Sequence, residues 1–297
     1  MHLRRNGRYK IDFPALQAAA PGPVETLRRG AWLQVWHPDN GAYRRAALPI
    51  RNLPESLVGL RILHLSDLHL KNRWCRGYDE LIERVRTDPP DLILFTGDFT
   101  DNKSDHRPAL PIVRRLVGGL VARQGIYAIL GNHDPDVIRP YLVDLGVRFV
   151  SSRRVIAPAR GRALELIGMP GLSRHDLDMD FVRALPPKEP GVPRLVLCHY
   201  PDLFCTVMGI EPDLFLAGHT HGGQVCTPSG MAVMTHDVMP RRFCKGIHRI
   251  GPTWYAVSSG LGFTKFPVRL FCPTEAVEFV FTATEQQTNH GCCLTPS

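Results

Sequence analysis

Five short clusters of side chains that can bind metal ions lie along the chain, and each follows an apolar run. They combine carboxylate, imidazole and amide oxygen, a donor set that suits Mn, Fe or Zn better than Ca. Residues two apart, such as Asp67 and His69, point the same way in an extended chain, so we expect both to reach one site. The candidate metal ligands are Asp67, His69, Asp98, Asn132, His199, His219 and His221.

Seven candidate ligands are too many for one tetrahedral ion. They suit two divalent ions that share one carboxylate, an arrangement used for displacement at phosphorus. A water held between two such ions is acidic enough to act as a nucleophile near neutral pH. A single Asp, Asn or His at a strand end also suits a cap or a turn. Five such clusters together favour a metal site.

These clusters need a scaffold that brings five strand ends together. From residue 61 onward, apolar runs alternate with amphipathic segments, which predicts strands alternating with helices in an α/β layered domain. The carboxyl ends of strands in an open α/β sheet converge on one crevice, and we expect the site there. The predicted strands are 61–65, 91–95, 125–130, 148–150, 164–167, 194–198, 213–217, 254–257 and 276–281, and the predicted helices are 78–86, 109–121, 136–145 and 178–185.

The composition is that of a globular enzyme: 297 residues, 44% hydrophobic and 22% charged, which excludes disordered and coiled-coil classes. The net charge is +8, of which +5 lies in the first 60 residues, and this indicates an anionic partner. The sequence contains neither an apolar run of about 20 residues nor a C-x-x-C pair. We therefore expect a cytoplasmic protein with reduced thiols. If it contacts lipid, we expect it to bind peripherally to the inner face of the membrane.

In type and order, the clusters resemble the five motifs of the calcineurin-like metallophosphoesterases. The resemblance spans residues 57–282, and three runs within it resemble the small bacterial phosphodiesterase branch, with members similar to UDP-2,3-diacylglucosamine hydrolases. The motifs are Ser66-Asp67-Leu68-His69, Gly97-Asp98-Phe99-Thr100-Asp101, Gly131-Asn132-His133-Asp134, Cys198-His199 and Gly218-His219-Thr220-His221-Gly222-Gly223-Gln224. The runs are Asp67-Leu68-His69-Leu70, His219–Gln224, and Gly260-Leu261-Gly262 followed by Pro267-Val268-Arg269.

This resemblance implies a four-layer α/β/β/α sandwich, in which two mixed sheets are flanked by helices and two metal ions lie at the strand ends. It implies that His133 is unliganded and stabilises the transition state or protonates the leaving oxygen. Asp134 would orient His133 by accepting its other N–H. The implied ligand sets are Asp67, His69, Asp98 and His221 for one ion, and Asp98, Asn132, His199 and His219 for the other.

The activity implied is hydrolysis of a phosphoester, as a phosphodiesterase or pyrophosphatase, by a hydroxide between two divalent ions (Mn, Fe or Zn). A lipid-linked or nucleotide-sugar ester is the expected substrate, and Arg241 and Arg242 are expected to bracket its phosphate. Two alternatives stay open, a nuclease and a non-catalytic metal-binding scaffold. The charge suits nucleic acid, but no basic-aromatic stripe accompanies it.

The chain divides by composition into three parts. Residues 1–57 are basic and interrupted by prolines, and we predict an irregular segment with short strands at 31–36 and 43–50. With Trp32 and Trp36, this segment is expected to pack on the domain or on an anionic membrane surface. Residues 58–283 are predicted to form the phosphoesterase domain, and 284–297 a flexible tail.

Overall fold

The computed structural model describes residues 19–235, 237–264 and 266–284, and the backbone of residues 2–3 and 9–10. In this part of the chain the strands form two seven-stranded mixed sheets and two small two-stranded sheets. The strands are β1 (His2–Leu3), β2 (Tyr9–Lys10), β3 (Ala20–Pro21), β4 (Val24–Arg28), β5 (Leu33–Val35), β6 (Ala42–Ile50), β7 (Arg61–Leu65), β8 (Leu92–Thr96), β9 (Ile126–Ile129), β10 (Val147–Phe149), β11 (Arg153–Ala159), β12 (Arg162–Gly168), β13 (Arg194–Leu197), β14 (Leu214–Ala217), β15 (Gly246–Ile250), β16 (Thr253–Val257), β17 (Val268–Leu270) and β18 (Glu275–Ala283). The α-helices are α1 (Arg76–Thr87), α2 (Leu110–Val117), α3 (Ile138–Val143), α4 (Met179–Arg183) and α5 (Phe204–Val207).

The two large sheets pack face to face. Their strand orders are β10-β9-β8-β7-β18-β6-β4 and β11-β12-β13-β14-β16-β15-β3. Apolar side chains from both sheets, such as Leu94 and Leu216, form one buried cluster between them. Helices α1, α2 and α3 cover the outer face of the first sheet, and α4 and α5 cover that of the second. The predicted four-layer α/β/β/α sandwich is confirmed.

Four neighbouring strands of each sheet run parallel, namely β7 to β10 and β12-β13-β14-β16. Strands β8, β9, β13 and β14 are buried along their whole length, as expected for parallel strands covered on both faces. This double burial is why they appear in the sequence as continuous apolar runs. The parallel arrangement also brings their carboxyl ends to a common edge.

The N-terminal region is more regular than the sequence predicts. Strand β6 pairs in parallel with β18 along its whole length, and β4 pairs with β6 at the edge of the first sheet. Charged residues in β6 hide its strand pattern in the sequence. The strand tolerates them because the guanidinium of Arg45 binds the buried carboxylate of Glu278 at 2.6 Å. The description of the segment as irregular is therefore wrong for its described part, although the predicted strand at 43–50 is confirmed.

Several further differences concern short elements. The predicted strand 31–36 is the shorter β5, which pairs with β17 outside the two large sheets. Strands β1 to β4, β11, β15 and β17, and helix α5, are additional to those expected. The limits at residues 57 and 283 stay a prediction, and residues 285–297 lie outside the described part. None of the helices in the described residues is long and apolar enough to cross a membrane.

Candidate metal centre

All seven candidate ligands follow the carboxyl ends of five parallel strands: β7, β8, β9, β13 and β14. Five of the seven side chains are buried, whereas those of Asn132 and His219 are half-buried. Oδ2 of Asp98 lies 3.3 Å from Nε2 of His69 and also 3.3 Å from Nε2 of His199. Asp98 therefore stands between two groups of donors.

The first group surrounds His69. Its Nε2 lies 3.0 Å from Nε2 of His221, and the same atom of His221 lies 3.5 Å from Oδ1 of Asp67. These ligand atoms of Asp67, His69 and His221 are close enough to share one metal ion. The structure brings together the three residues that the family resemblance placed around one ion with Asp98.

The second group surrounds Asn132. Oδ1 of Asn132 lies 2.9 Å from Nε2 of His199 and 2.9 Å from Nδ1 of His219. The two imidazole nitrogens are 3.3 Å apart. The ring of Tyr200 packs edge-on against His219 at 4.6 Å and limits the positions that this histidine can take. Asn132, His199 and His219 thus also converge as predicted.

The electrostatics of the cluster favour a cation. Burial raises the pKa of Asp98, but His199 and His69 hold it well below its usual range. Burial opposes charge on His69, yet hydrogen bonds with Asp101 and Asp98 raise its pKa to about 10. Burial likewise opposes charge on His199, whose pKa Asp98 raises to about 9. Without metal, protonated imidazoles supply the positive charge beside these carboxylates. Bound divalent ions would supply it instead, so the donor set fits metal.

The local backbone differs from the extended conformation that the spacing suggested. Five of the seven candidate ligands adopt positive φ, a region that costs non-glycine residues about 1–2 kcal/mol each. The extended-chain argument for Asp67 and His69 is therefore wrong, although both reach the site. Left-handed turns after the strands aim the side chains, and such strain is typical of functional sites. The φ angles are 49° at Asp67, 41° at His69, 57° at Asp98, 69° at His219 and 51° at His221.

Two glycines allow the carboxylates to lie against the backbone. A Cβ at Gly131 would stand 2.2 Å from Oδ1 of Asp98, and one at Gly218 would stand 2.3 Å from Oδ2 of Asp67. Both distances are far below van der Waals contact. The close approach gives a physical reason for glycine immediately before Asn132 and His219.

His133 lies beside the cluster, but not on the partner that we expected. Its Nδ1 donates to the backbone carbonyl of Asp101 at 2.8 Å, and its ring meets that of His69 edge-on at 4.7 Å. Because a carbonyl only accepts, Nδ1 carries the proton and Nε2 is the nitrogen left for proton exchange. The carbonyl of Asp101, and not the carboxylate of Asp134 as predicted, therefore accepts the N–H of His133.

Asp134 instead joins two ligand-bearing loops. Its carboxylate accepts from the amides of Gly131 at 3.0 Å and Thr100 at 2.9 Å. Burial, and then the nearby charge of Asp98, raise its pKa to about 6. The predicted orientation of His133 by Asp134 is therefore wrong, because Nδ1 of His133 donates to the carbonyl of Asp101 instead.

Sequence reasoning missed two residues that support the ligands. Oδ1 of Asp101 lies 3.2 Å from Nδ1 of His69 and fixes that ring. The fully buried Arg269 donates to the carbonyls of Ser259 at 2.6 Å and Gly262 at 2.7 Å, and its guanidinium lies 3.2 Å from Nδ1 of His221. Both residues stand inside motifs quoted above, so a signal was present. Burial, His69 and Arg269 all lower the pKa of His221, which keeps it in the neutral, metal-binding form.

Arg241 and Arg242 occupy an exposed 3₁₀ turn near the histidine motif. The hydroxyl of Thr220, between two candidate ligands, donates to the carbonyl of Cys244 at the end of that turn. The guanidinium of Arg242 lies over the ring of Phe243 at 4.7 Å. The turn therefore adjoins the site, and a contact of either arginine with substrate stays a prediction.

The sandwich fold and the cluster of buried histidines and carboxylates define a metal-dependent phosphoric ester hydrolase. The family model of calcineurin-like phosphoesterases matches residues 60–223, a range that contains all seven candidate ligands. The protein belongs to the calcineurin-like phosphoesterase family.

Curated relatives extend the similarity beyond that range. The chain is 27% identical to the uncharacterized metallophosphoesterase YkuE of Bacillus subtilis, over 78% of this chain and 82% of that protein. It is 30% identical to the phosphodiesterase YaeI of Escherichia coli, over 74% of this chain and 82% of that protein. A solved phosphopantetheinyl hydrolase from Mycobacterium tuberculosis is 12% identical, with 69% of this chain and 92% of that one covered at a TM-score of 0.39. That likeness is too remote to carry an argument.

Proposed function

We propose that the protein is a phosphodiesterase whose centre holds two divalent metal ions. The observation that carries the proposal is the position of Asp98, with one carboxylate oxygen 3.3 Å from an imidazole of each donor group. A carboxylate so placed is suited to bridge two ions. Asp67, His69 and His221 complete one ligand set, and Asn132, His199 and His219 complete the other.

Divalent ions would supply Lewis-acid polarisation of the phosphoryl oxygens and would lower the pKa of water. The chain's own contribution is to fix these ligands and to provide a proton donor beside them. With Nδ1 of His133 held by the carbonyl of Asp101, Nε2 can exchange a proton with the leaving oxygen. The donor set of imidazole, carboxylate and amide suits Mn, Fe or Zn.

We further propose a diester or pyrophosphate linkage in a lipid-linked or nucleotide-sugar compound. The relative YaeI is named a phosphodiesterase, which supports this bond type. Arg241 and Arg242, in the turn joined to Thr220, are proposed to meet a phosphate of the substrate. The similarity to UDP-2,3-diacylglucosamine hydrolases stays a prediction.

The experiment combines metal counting with turnover. Wild-type protein loaded with Mn²⁺ should hold two ions per chain by mass spectrometry and hydrolyse bis-p-nitrophenyl phosphate, and a chelator should abolish turnover. Asp98→Ala should lose at least one ion and at least a thousandfold in kcat. Asp180→Ala, at a side chain 90% exposed in a surface ion pair, is the matched control and should change neither quantity. Turnover retained by Asp98→Ala would refute the binuclear proposal.

A substrate panel separates the proposed ester from the nuclease. Lipid-linked diesters, nucleotide sugars, DNA and RNA should be compared by kcat/KM at one metal concentration. Charge reversal at Arg241 and Arg242 should raise KM more than it lowers kcat. A higher kcat/KM for nucleic acid than for every other diester would replace the proposed substrate class, and an unchanged KM would remove both arginines from the site.

A further inference from the structure

The two-stranded ribbon formed by β5 and β17 has an inverted distribution of polar and apolar side chains. Gln34 is 4% exposed and Arg269 is fully buried, and these two residues are cross-strand partners. The neighbouring pairs, Leu33 with Leu270 and Val35 with Val268, alternate with them and so lie on the opposite face. A strand pair in water normally shows the reverse pattern.

The buried polar side chains of the ribbon are well bonded. Gln34 donates to the carbonyl of Asp39 at 2.7 Å and accepts from the amide of Thr274 at 2.8 Å. Arg269 donates to carbonyls beside the candidate metal centre, as described above. The inversion is therefore held in place by specific hydrogen bonds, and it leaves apolar side chains outside.

Aromatic residues extend this apolar face at both ends of β5. The exposed side chains are Trp32, Leu33, Val35, Trp36 and Phe266, with exposed fractions between 43% and 69%. Trp32 stacks on Phe271 at 5.7 Å, and the amide of Trp36 donates to the carbonyl of Pro267. We call these five residues, with Val268 and Leu270, the ribbon face. Exposed apolar side chains grouped within two neighbouring segments in this way indicate an interaction site.

Basic residues adjoin the ribbon face. Trp36 lines a cavity of about 250 Å³ together with Lys71, Arg73 and the candidate ligand His69. The loop 71–76, which ends at the first residue of α1, carries three basic residues and no acid. Arg76 pairs with Glu80 at 3.1 Å. Lys71 pairs with Asp101 at 3.3 Å, whereas Arg73 is exposed and forms no ion pair with the described residues. An exposed tryptophan beside basic side chains is a combination that suits an anionic membrane interface.

We propose that the ribbon face docks the protein on a bilayer that contains anionic lipid. Tryptophan and aliphatic side chains enter the headgroup region, and the loop 71–76 meets the negative surface. Because Trp36 and His69 line the same cavity, docking places that cavity toward the membrane. The docking rests on the ribbon face and not on the proposed hydrolysis, so the two can fail separately.

The test is co-sedimentation of the full chain with vesicles of phosphatidylcholine alone or with 30% phosphatidylglycerol. The wild type should bind the anionic vesicles, and binding should weaken as NaCl rises from 0.1 to 0.5 M. The triple variant Trp32→Thr/Leu33→Thr/Val35→Thr should bind at least tenfold more weakly. None of these three residues lines the cavity, so hydrolysis of bis-p-nitrophenyl phosphate should be unchanged.

Two control variants separate the contribution of the ribbon face from that of other exposed apolar side chains and of charge. Val137→Thr/Ile156→Thr removes exposed aliphatic side chains far from the ribbon in sequence and should bind as the wild type does. Arg73→Glu, which leaves the apolar side chains intact, should weaken binding to anionic vesicles alone. Wild-type protein that ignores anionic vesicles, or a triple variant that binds normally, would overturn the proposal. A concentration-dependent dimer that the triple variant abolishes would assign the ribbon face to self-association instead.

Discussion

The backbone carbonyl of Asp101 accepts a hydrogen bond from Nδ1 of His133 at 2.8 Å. The side chain of Asp101 lies 3.2 Å from Nδ1 of the candidate ligand His69. One residue therefore fixes the ring of a candidate metal ligand through its carboxylate and the ring of the proposed proton donor through its main chain. A main-chain acceptor cannot be removed by substitution, so the orientation of His133 depends on the loop and not on a neighbouring side chain.

His133→Gln is expected to lower kcat by about 10²–10⁴, because a positioned acid contributes that much to the departure of a poor leaving group. The number of bound metal ions should not change, since His133 is not among the candidate ligands. The measurement is turnover of an alkyl phosphodiester, with metal content determined on the same samples. A leaving group that needs no proton, such as p-nitrophenolate, should show a smaller loss; equal losses would argue against proton donation by His133.

Asp134→Asn is expected to act mainly on stability. The amide keeps one acceptor for the two backbone amides of Gly131 and Thr100, and loss of one such bond costs about 1–3 kcal/mol. Urea unfolding should show this decrease, and kcat at saturating metal should fall far less than in His133→Gln. A kcat loss as large as that of His133→Gln would restore the orienting role for Asp134.

Gly131→Ala tests the close approach of Asp98 to the backbone. The added methyl would meet Oδ1 of Asp98 at 2.2 Å, so the carboxylate must move from between the two donor groups. We expect weaker metal binding by at least tenfold and a matching fall in kcat/KM at limiting metal. Gly209→Ala is the control, because a Cβ there meets no atom within 4 Å and its φ is not positive. Equal metal affinity in both variants would show that Asp98 does not need this position.

The strand ends could be predicted from the sequence because the physical signal is local. Strands such as β8 and β14 are buried on both faces, so apolar runs reveal them, and the ligand types follow directly. The convergence of those ends then follows from the rule for α/β sheets. The convergence of Asp67, Asp98 and His199 did not require knowledge of any individual contact.

The parts that escaped prediction depend on tertiary partners. Strand β6 carries Arg44 and Arg45, which look solvent-exposed until Glu275 and Glu278 on β18 are placed beside them. The hydrogen bond from His133 to the carbonyl of Asp101 escaped because a main-chain acceptor has no sequence signature. The left-handed turns at the ligands escaped prediction because Asp and His, unlike glycine, adopt positive φ at only a minority of their positions.

Arg194→Leu probes a buried ion pair that has no part in the proposed metal centre. Arg194 and Glu165 are each 2% exposed and meet at 2.5 Å, and the guanidinium also donates to the carbonyls of Ile210 and Pro186. Removal of one member of such a pair typically costs about 3–5 kcal/mol. We expect the lower end of that range, because Glu165 keeps Arg154 as a partner. Arg183→Leu breaks an exposed pair with Asp180 and should cost less than about 1 kcal/mol. Urea unfolding of both variants checks the contrast, and similar losses would contradict it.

The pH dependence of stability should report His64. This side chain is buried, and desolvation lowers its pKa to about 3. Its Nε2 lies 2.8 Å from the hydroxyl of Thr96, which itself donates to Ser66. Thr96 therefore accepts, Nε2 carries the proton, and Nδ1 is a buried atom without a hydrogen-bond partner in the described structure. The folded protein thus holds the neutral imidazole.

The unfolded chain takes up a proton on His64 below its ordinary pKa of about 6.5, whereas the folded chain does so only near pH 3. Stability is therefore lost as pH falls from about 6.5 toward 3, by about 1.4 kcal/mol per pH unit. Between pH 7 and pH 5 the loss from this group is about 2 kcal/mol. His64→Gln should remove that part of the slope, measured by urea unfolding with chelator present so that metal binding does not vary with pH. A variant whose free energy of unfolding falls with pH as steeply as that of the wild type would show that His64 is not the titrating group.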